Sequence, residues 1–209
     1  MKKNNFRIIA SLLIVSILSA CFFSCDGTEK LKYTDGVFVD PSSNSEYVPC
    51  SPSIIAAAIG EKKAKFADIY YHIIPGYENG EFLTQKFEDG YEVIRKKDVH
   101  EPALSELNIT NISVCRITDT SVFAEAQTED KELISKITEA VLTPPSEDED
   151  TLLPANPVFT RELRIFSDNY PYLCYRISYL EDTRGQGYLY DRATGICKNV
   201  GGLLIGKLL

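Results

Sequence analysis

Hydrophobic and polar positions alternate most clearly near the end of the chain. From Tyr172 to Leu180, Leu173, Tyr175, Ile177 and Tyr179 fall on one face, and Cys174, Arg176 and Ser178 on the other. That period of two predicts a half-buried strand. Tyr188-Leu189-Tyr190 and Ile196-Cys197-Lys198 flank Asp191-Arg192-Ala193-Thr194-Gly195. A type I turn with glycine in the left-handed position suits such a loop, so a hairpin is expected. Earlier, Asp68 to Ile74 is rich in β-branched and aromatic residues, which favour strands. Glu81 to Phe87 and Tyr91 to Arg95 flank Asp89-Gly90, a dipeptide that supplies the positive φ values of a tight hairpin turn. Asn108 to Ile117 reads as another strand, and Ser121 to Ala126 as its returning partner.

Only one segment has a clear helical period. Leu133, Ile134, Ile137, Ala140 and Val141 recur on one face. Thr128 is placed to cap this helix, and Glu129, Asp130 and Glu132 suit the positive end of its dipole. Ile54 to Ile59 reads either as a short helix capped by Ser53 or as a buried strand, because brief apolar runs do not separate the two. Gly36 to Val39 is a possible first strand, Asp40 to Pro52 a loop, and residues 21–35 a tether. Residues 143–157 are proline-rich and contain Ser146-Glu147-Asp148-Glu149-Asp150, an acidic loop. The last 52 residues, from Val158, would be marginal alone and should complete the same sheet. The expected fold is one α+β domain over residues 36–209, an antiparallel β-sheet packed by one main amphipathic helix.

The amino terminus has a different character. Lys2, Lys3 and Arg7 precede an apolar run from Ile8 to Ala20. That run is thirteen residues long, and a bilayer span takes about twenty. A positive start, a short apolar core and small residues at its end describe an export signal over residues 1–20. Leu18-Ser19-Ala20-Cys21 resembles the bacterial lipobox. The resemblance covers about the first 21 residues and implies nothing about the fold beyond them. It implies cleavage before Cys21, a thioether from its sulfur to a diacylglycerol, and a lipid-anchored protein on the extracytoplasmic face of the cell membrane. The related position at Cys25 follows Phe23 and Ser24, and Phe23 is large where the motif takes a small residue.

Charge narrows the choice of partner. Removing residues 1–20 takes away three bases and no acid, so the net charge moves from −8 to −11. Nucleic-acid binding needs basic clusters for phosphate contacts, so no nucleic-acid partner is expected. Attachment to anionic lipid by charge alone is equally out of reach. Six cysteines leave five if Cys21 carries lipid, an odd number. No C-x-x-C spacing points to zinc or redox chemistry. In a simple meander one strand would separate Cys174 from Cys197, too far for a disulfide. His72 reads as a strand residue and His100 as a loop residue, with no comparable cluster for a metal. No nucleophile elbow, P-loop or dinucleotide fingerprint occurs, so neither a catalytic residue nor a cofactor is expected.

Tyrosine is the one compositional excess, with six of the twelve between Tyr170 and Tyr190. Tyr175 and Tyr179 fall on the core face, whereas Tyr170 and Tyr172 flank Pro171 and are candidate exposed ligand contacts. The expected function is a non-enzymatic binding module that meets an envelope or surface protein. A small envelope hydrolase with a site built from scattered residues is the alternative. A third class is a structural or assembly subunit held through an exposed sheet edge.

Overall fold

The computed structural model describes residues 28–85, 92–119, 121–144 and 153–208. Fifteen strands and one α-helix lie within them. The first group comprises β1 (Glu29–Lys30), β2 (Lys32–Thr34), β3 (Val37–Asp40), β4 (Ser45–Pro49), β5 (Ile54–Ala56), β6 (Lys62–Phe66), β7 (Ile69–Ile73), β8 (Phe82–Gln85) and β9 (Val93–Lys96). The second comprises β10 (Ile109–Ile117), β11 (Val122–Thr128), α1 (Lys131–Leu142), β12 (Phe159–Ser167), β13 (Leu173–Glu181), β14 (Gly187–Tyr190) and β15 (Cys197–Gly201).

The α+β expectation is therefore corrected. Among the described residues the protein is mostly β, with two large sheets and a single short α-helix. The first sheet runs β1-β6-β7-β8-β9-β4-β3-β2. Its two ends, β1 and β2, are separated in the chain by Leu31 alone. The sheet thus curls round until its ends are covalent neighbours, a barrel-like arrangement. Leu31, Tyr47, Ala64, Tyr71, Leu83 and Ile94 fill its inside. Residues 29–34, read as tether, supply the closing strands, and β4 arises inside the segment read as loop. A small barrel needs only one inward residue at alternate positions. Lys62-Lys63-Ala64-Lys65-Phe66 meets that need with Ala64 and Phe66 despite three lysines.

The second sheet runs β11-β10-β12-β13-β14-β15, with β5 also pairing β13. Its long strands carry the main core, including Ile112, Val114, Leu163, Ile165, Ile177 and Tyr179. Ile54 to Ala56 adopt the strand alternative, with Ile55 opposite Cys174. The predicted hairpin joining β14 and β15 is present, with Gly195 at φ 72° in its turn, and β13 also pairs antiparallel with β14. β8 and β9 also pair, although the Asp89-Gly90 turn lies outside the described residues.

The helix stripe buries Leu133, Ile134, Ile137 and Val141 against β10, β14 and β15. Its cap is Asp130, whose carboxylate accepts from the backbone N–H of Glu132 and Leu133 at 2.9 and 3.3 Å. Thr128 instead belongs to β11, and its hydroxyl accepts from the Asp130 N–H at 3.1 Å.

The two sheets meet through the outside of the barrel. Phe82 and Val93 belong to the main core, while their neighbours Leu83 and Ile94 point into the barrel. Alternation along β8 and β9 thus lets one hairpin serve two cores.

Candidate binding cleft

An aromatic group marks one mouth of the barrel. Tyr33 on β2, Phe38 on β3, Phe66 on β6 and Tyr71 on β7 approach with ring centroids 4.8 to 5.9 Å apart. Such spacings suit tilted and edge-to-face pairs, which add attraction beyond area burial. Tyr33 remains 53% exposed, so a large ring lies open to solvent at the rim.

Facing these rings is the segment that links the barrel to the second sheet. Together they enclose a cleft of about 370 Å³, with Pro49, Cys50, Ile54, Ile55, Val93 and Ile94 among its lining. Pockets for small ligands start at roughly this size. Two opposite charges stand in the wall. Glu92 accepts from the Gln85 amide at 2.7 Å. Arg176 donates from Nε to the Pro52 carbonyl at 2.7 Å, and its Nη1 lies 3.8 Å from Glu162. Both groups are thus held in place before anything binds, which reduces the ordering cost of recognition.

A second feature fixes the other side of this linker. Asp191 is buried and accepts from the hydroxyls of Ser53 at 2.5 Å, Tyr175 at 2.8 Å and Thr194 at 2.9 Å. Its Oδ1 also accepts from the Ala193 N–H at 3.0 Å. Burial, then the Asp191 carboxylate, push the Tyr175 phenol above its ordinary range. The network staples the start of β5 to the β14–β15 turn and so holds the back wall of the cleft.

The cleft contains no activated nucleophile among its described residues. Cys50 lines it, but burial and the Glu101 carboxylate push its thiol up to about 12. At neutral pH such a thiol is not a nucleophile, because the thiolate is the reactive form. Neither histidine lines it. His72 donates from Nδ1 to the Gly60 carbonyl at 3.0 Å, and His100 donates from Nε2 to Glu106 at 2.8 Å. No group of three or more metal-ligating side chains occurs among the described residues. Cys50, Cys115, Cys174 and Cys197 are not joined in disulfides, and β14 does separate Cys174 from Cys197.

The tyrosines singled out from sequence stand elsewhere and part company. Tyr172 is 52% exposed with φ 59°, and its carbonyl accepts from the Ala57 N–H at 2.8 Å. Tyr170 is partly buried against the main core. Cys21, Cys25 and most of the acidic loop lie outside the described residues. No protein-family model, curated protein or solved structure matches the chain.

Proposed function

We infer that the protein is a lipid-anchored extracytoplasmic binding module whose recognition site is the aromatic cleft at the barrel mouth. The observation that carries the reading is the exposed Tyr33 ring set over an apolar cleft with one fixed carboxylate and one fixed guanidinium. Apolar walls supply affinity, and a few placed polar groups supply orientation. A raised thiol in the same cleft favours binding over nucleophilic chemistry. The anchor follows from the lipobox resemblance at Cys21 and keeps the module at the cell surface. The bound species is an envelope or surface protein that inserts an apolar side chain into the cleft.

The chain has no tryptophan, so a single introduced one reports locally. The full chain carrying Tyr33→Trp, labelled with 5-fluorotryptophan, should show a saturable change in its fluorine NMR signal when titrated with detergent-solubilised envelope proteins. Tyr172→Trp, outside the cleft, should not respond. Equal responses at both positions, or none at 33, would count against the cleft as the site.

A further inference from the structure

The barrel wall turned away from the main core is rich in lysine. Lys30 stands directly opposite Lys65 in the β1–β6 pair, and Lys65 opposite Tyr70 in β6–β7. Further along the same pair Lys62 stands opposite His72. The ammonium groups of Lys62 and Lys65 lie 3.9 and 4.9 Å from the Tyr70 ring centroid, so these side chains share one outer face. Lys32 is exposed on β2, one residue beyond Leu31, which turns inward.

The nearby acids leave this wall a small basic excess, since Lys30, Lys32, Lys62, Lys63 and Lys65 stand beside Glu29, Asp35, Glu61 and Asp68. Glu29 is taken up by Lys63 at 2.8 Å, and Asp68 sits 3.8 Å from Lys65 at the β6–β7 turn. Glu61 is exposed at the start of β6. Lys30, Lys32 and Lys62 are exposed, in a chain whose net charge is −8. Like charges directly opposite on paired strands repel, and a run of anions would relieve them.

Position adds the second argument. The barrel docks on the main core through the outside of β8 and β9. In the closed order, β1 lies across the ring from β9, and β2 across from β8. The lysine wall is therefore the free side. It is also where the chain enters, and Cys21 lies seven residues before Thr28. Seven residues reach at most roughly 25 Å, so a lipid at Cys21 keeps this part of the barrel close to the headgroups.

We propose that the lysine wall of β1, β2 and β6 is a membrane-contact surface for the phosphates of anionic phospholipids, with Tyr70 at its centre. The proposal rests on acylation at Cys21 for its closeness to the bilayer. Acyl chains retain the protein, and the wall sets how the barrel lies on the surface. Two-signal attachment of this kind combines apolar insertion with basic side chains, and tyrosine is a common interfacial residue.

The test is amine labelling of the full chain, expressed with its own leader and reconstituted into vesicles. Phosphatidylcholine vesicles are compared with phosphatidylcholine containing phosphatidylglycerol, and labelling is read lysine by lysine by mass spectrometry. Labelling of Lys30, Lys32 and Lys62 should fall at least threefold in the anionic vesicles and recover in about 1 M salt, where the Debye length is about 3 Å. Lys131, on the helix, should not change. Equal labelling in the two vesicle types overturns the proposal. Equal protection by free inorganic phosphate also overturns it, since a soluble anion would then suffice. The mass of the peptide containing Cys21 reports the anchor separately. An acylated chain without protection loses the wall and keeps the anchor. An unacylated chain loses the anchor, and protection by anionic vesicles in excess then decides the wall alone.

Discussion

Two buried carboxylates show how single residues hold this fold. Burial alone would raise the Asp40 pKa, but hydrogen bonds from the Ser43 hydroxyl and from the Ser42 N–H and hydroxyl outweigh it. Its carboxyl is held below the ordinary aspartate value. A depressed native pKa contributes stability above the unfolded value near 4, and that stability is lost as pH falls through the native value. Asp40→Asn should cost about 1 to 3 kcal/mol at pH 7, in line with hydrogen bonds to a charged group. It should also flatten the acid limb of the stability curve below about pH 4, as urea titrations at several pH values would show. Tyr175→Phe removes one donor from Asp191 and should cost about 1 to 2 kcal/mol by the same measurement. At Cys50, a thiol pushed up to about 12 should alkylate at pH 8 at least about tenfold more slowly than in the urea-unfolded chain, where thiols titrate near 8.5. A comparable rate in the folded protein would contradict this account of the cleft. None of these environments was legible in the sequence. Asp40 and Cys50 sit in a segment that reads as loop, and Ser53 meets Asp191 across 138 positions.

The helix and β13 were legible from their period, and β7, β8, β9, β14 and β15 from composition and turn residues, whereas β1, β2, β4 and β6 were not. The helix stripe appears as expected, because its apolar spacing has no strand equivalent. Its cap differs by two residues, since Thr128, Glu129 and Asp130 are all polar and only the three-dimensional path shows which carboxylate meets the free N–H groups. Asp130→Ala should cost about 1 kcal/mol. Ile137→Ala, at a fully buried position, should cost about 2 to 5 kcal/mol. A loss below about 0.5 kcal/mol at Ile137 would mean that the helix does not seal the main core. β13 follows its alternation, and β10, β11, β14 and β15 form where strands were expected. The barrel escaped notice because its closing strands are two and three residues long and because β6 is mostly lysine. A helix stripe needs a sheet to cover it, which is why the sequence pattern reads as α+β. Most of the structure satisfies itself sheet on sheet and inside the barrel.

At the scale of the whole molecule, a barrel and a cleft follow a proposed anchor. The cleft draws on β2, β3, β6, β7, β9 and the β4–β5 linker, so no local motif could announce it. Tyr33 in particular sits in residues that read as tether. The proposed anchor is the reverse case, resting on the lipobox resemblance at Cys21, which lies outside the described residues. Cys21→Ser should abolish lipid addition and leave an uncleaved chain, visible as a higher mass and as loss of incorporated labelled palmitate. Incorporation undiminished by the substitution would place the lipid elsewhere. The most direct measurement of the central claim is site-specific photocrosslinking in intact cells, with a photoreactive residue at position 33 and a control at position 205. Ile205 is 48% exposed and outside the cleft lining. One discrete adduct with an envelope protein is expected from position 33 and none from 205. The absence of an adduct at 33, or the same adducts from both positions, would contradict it.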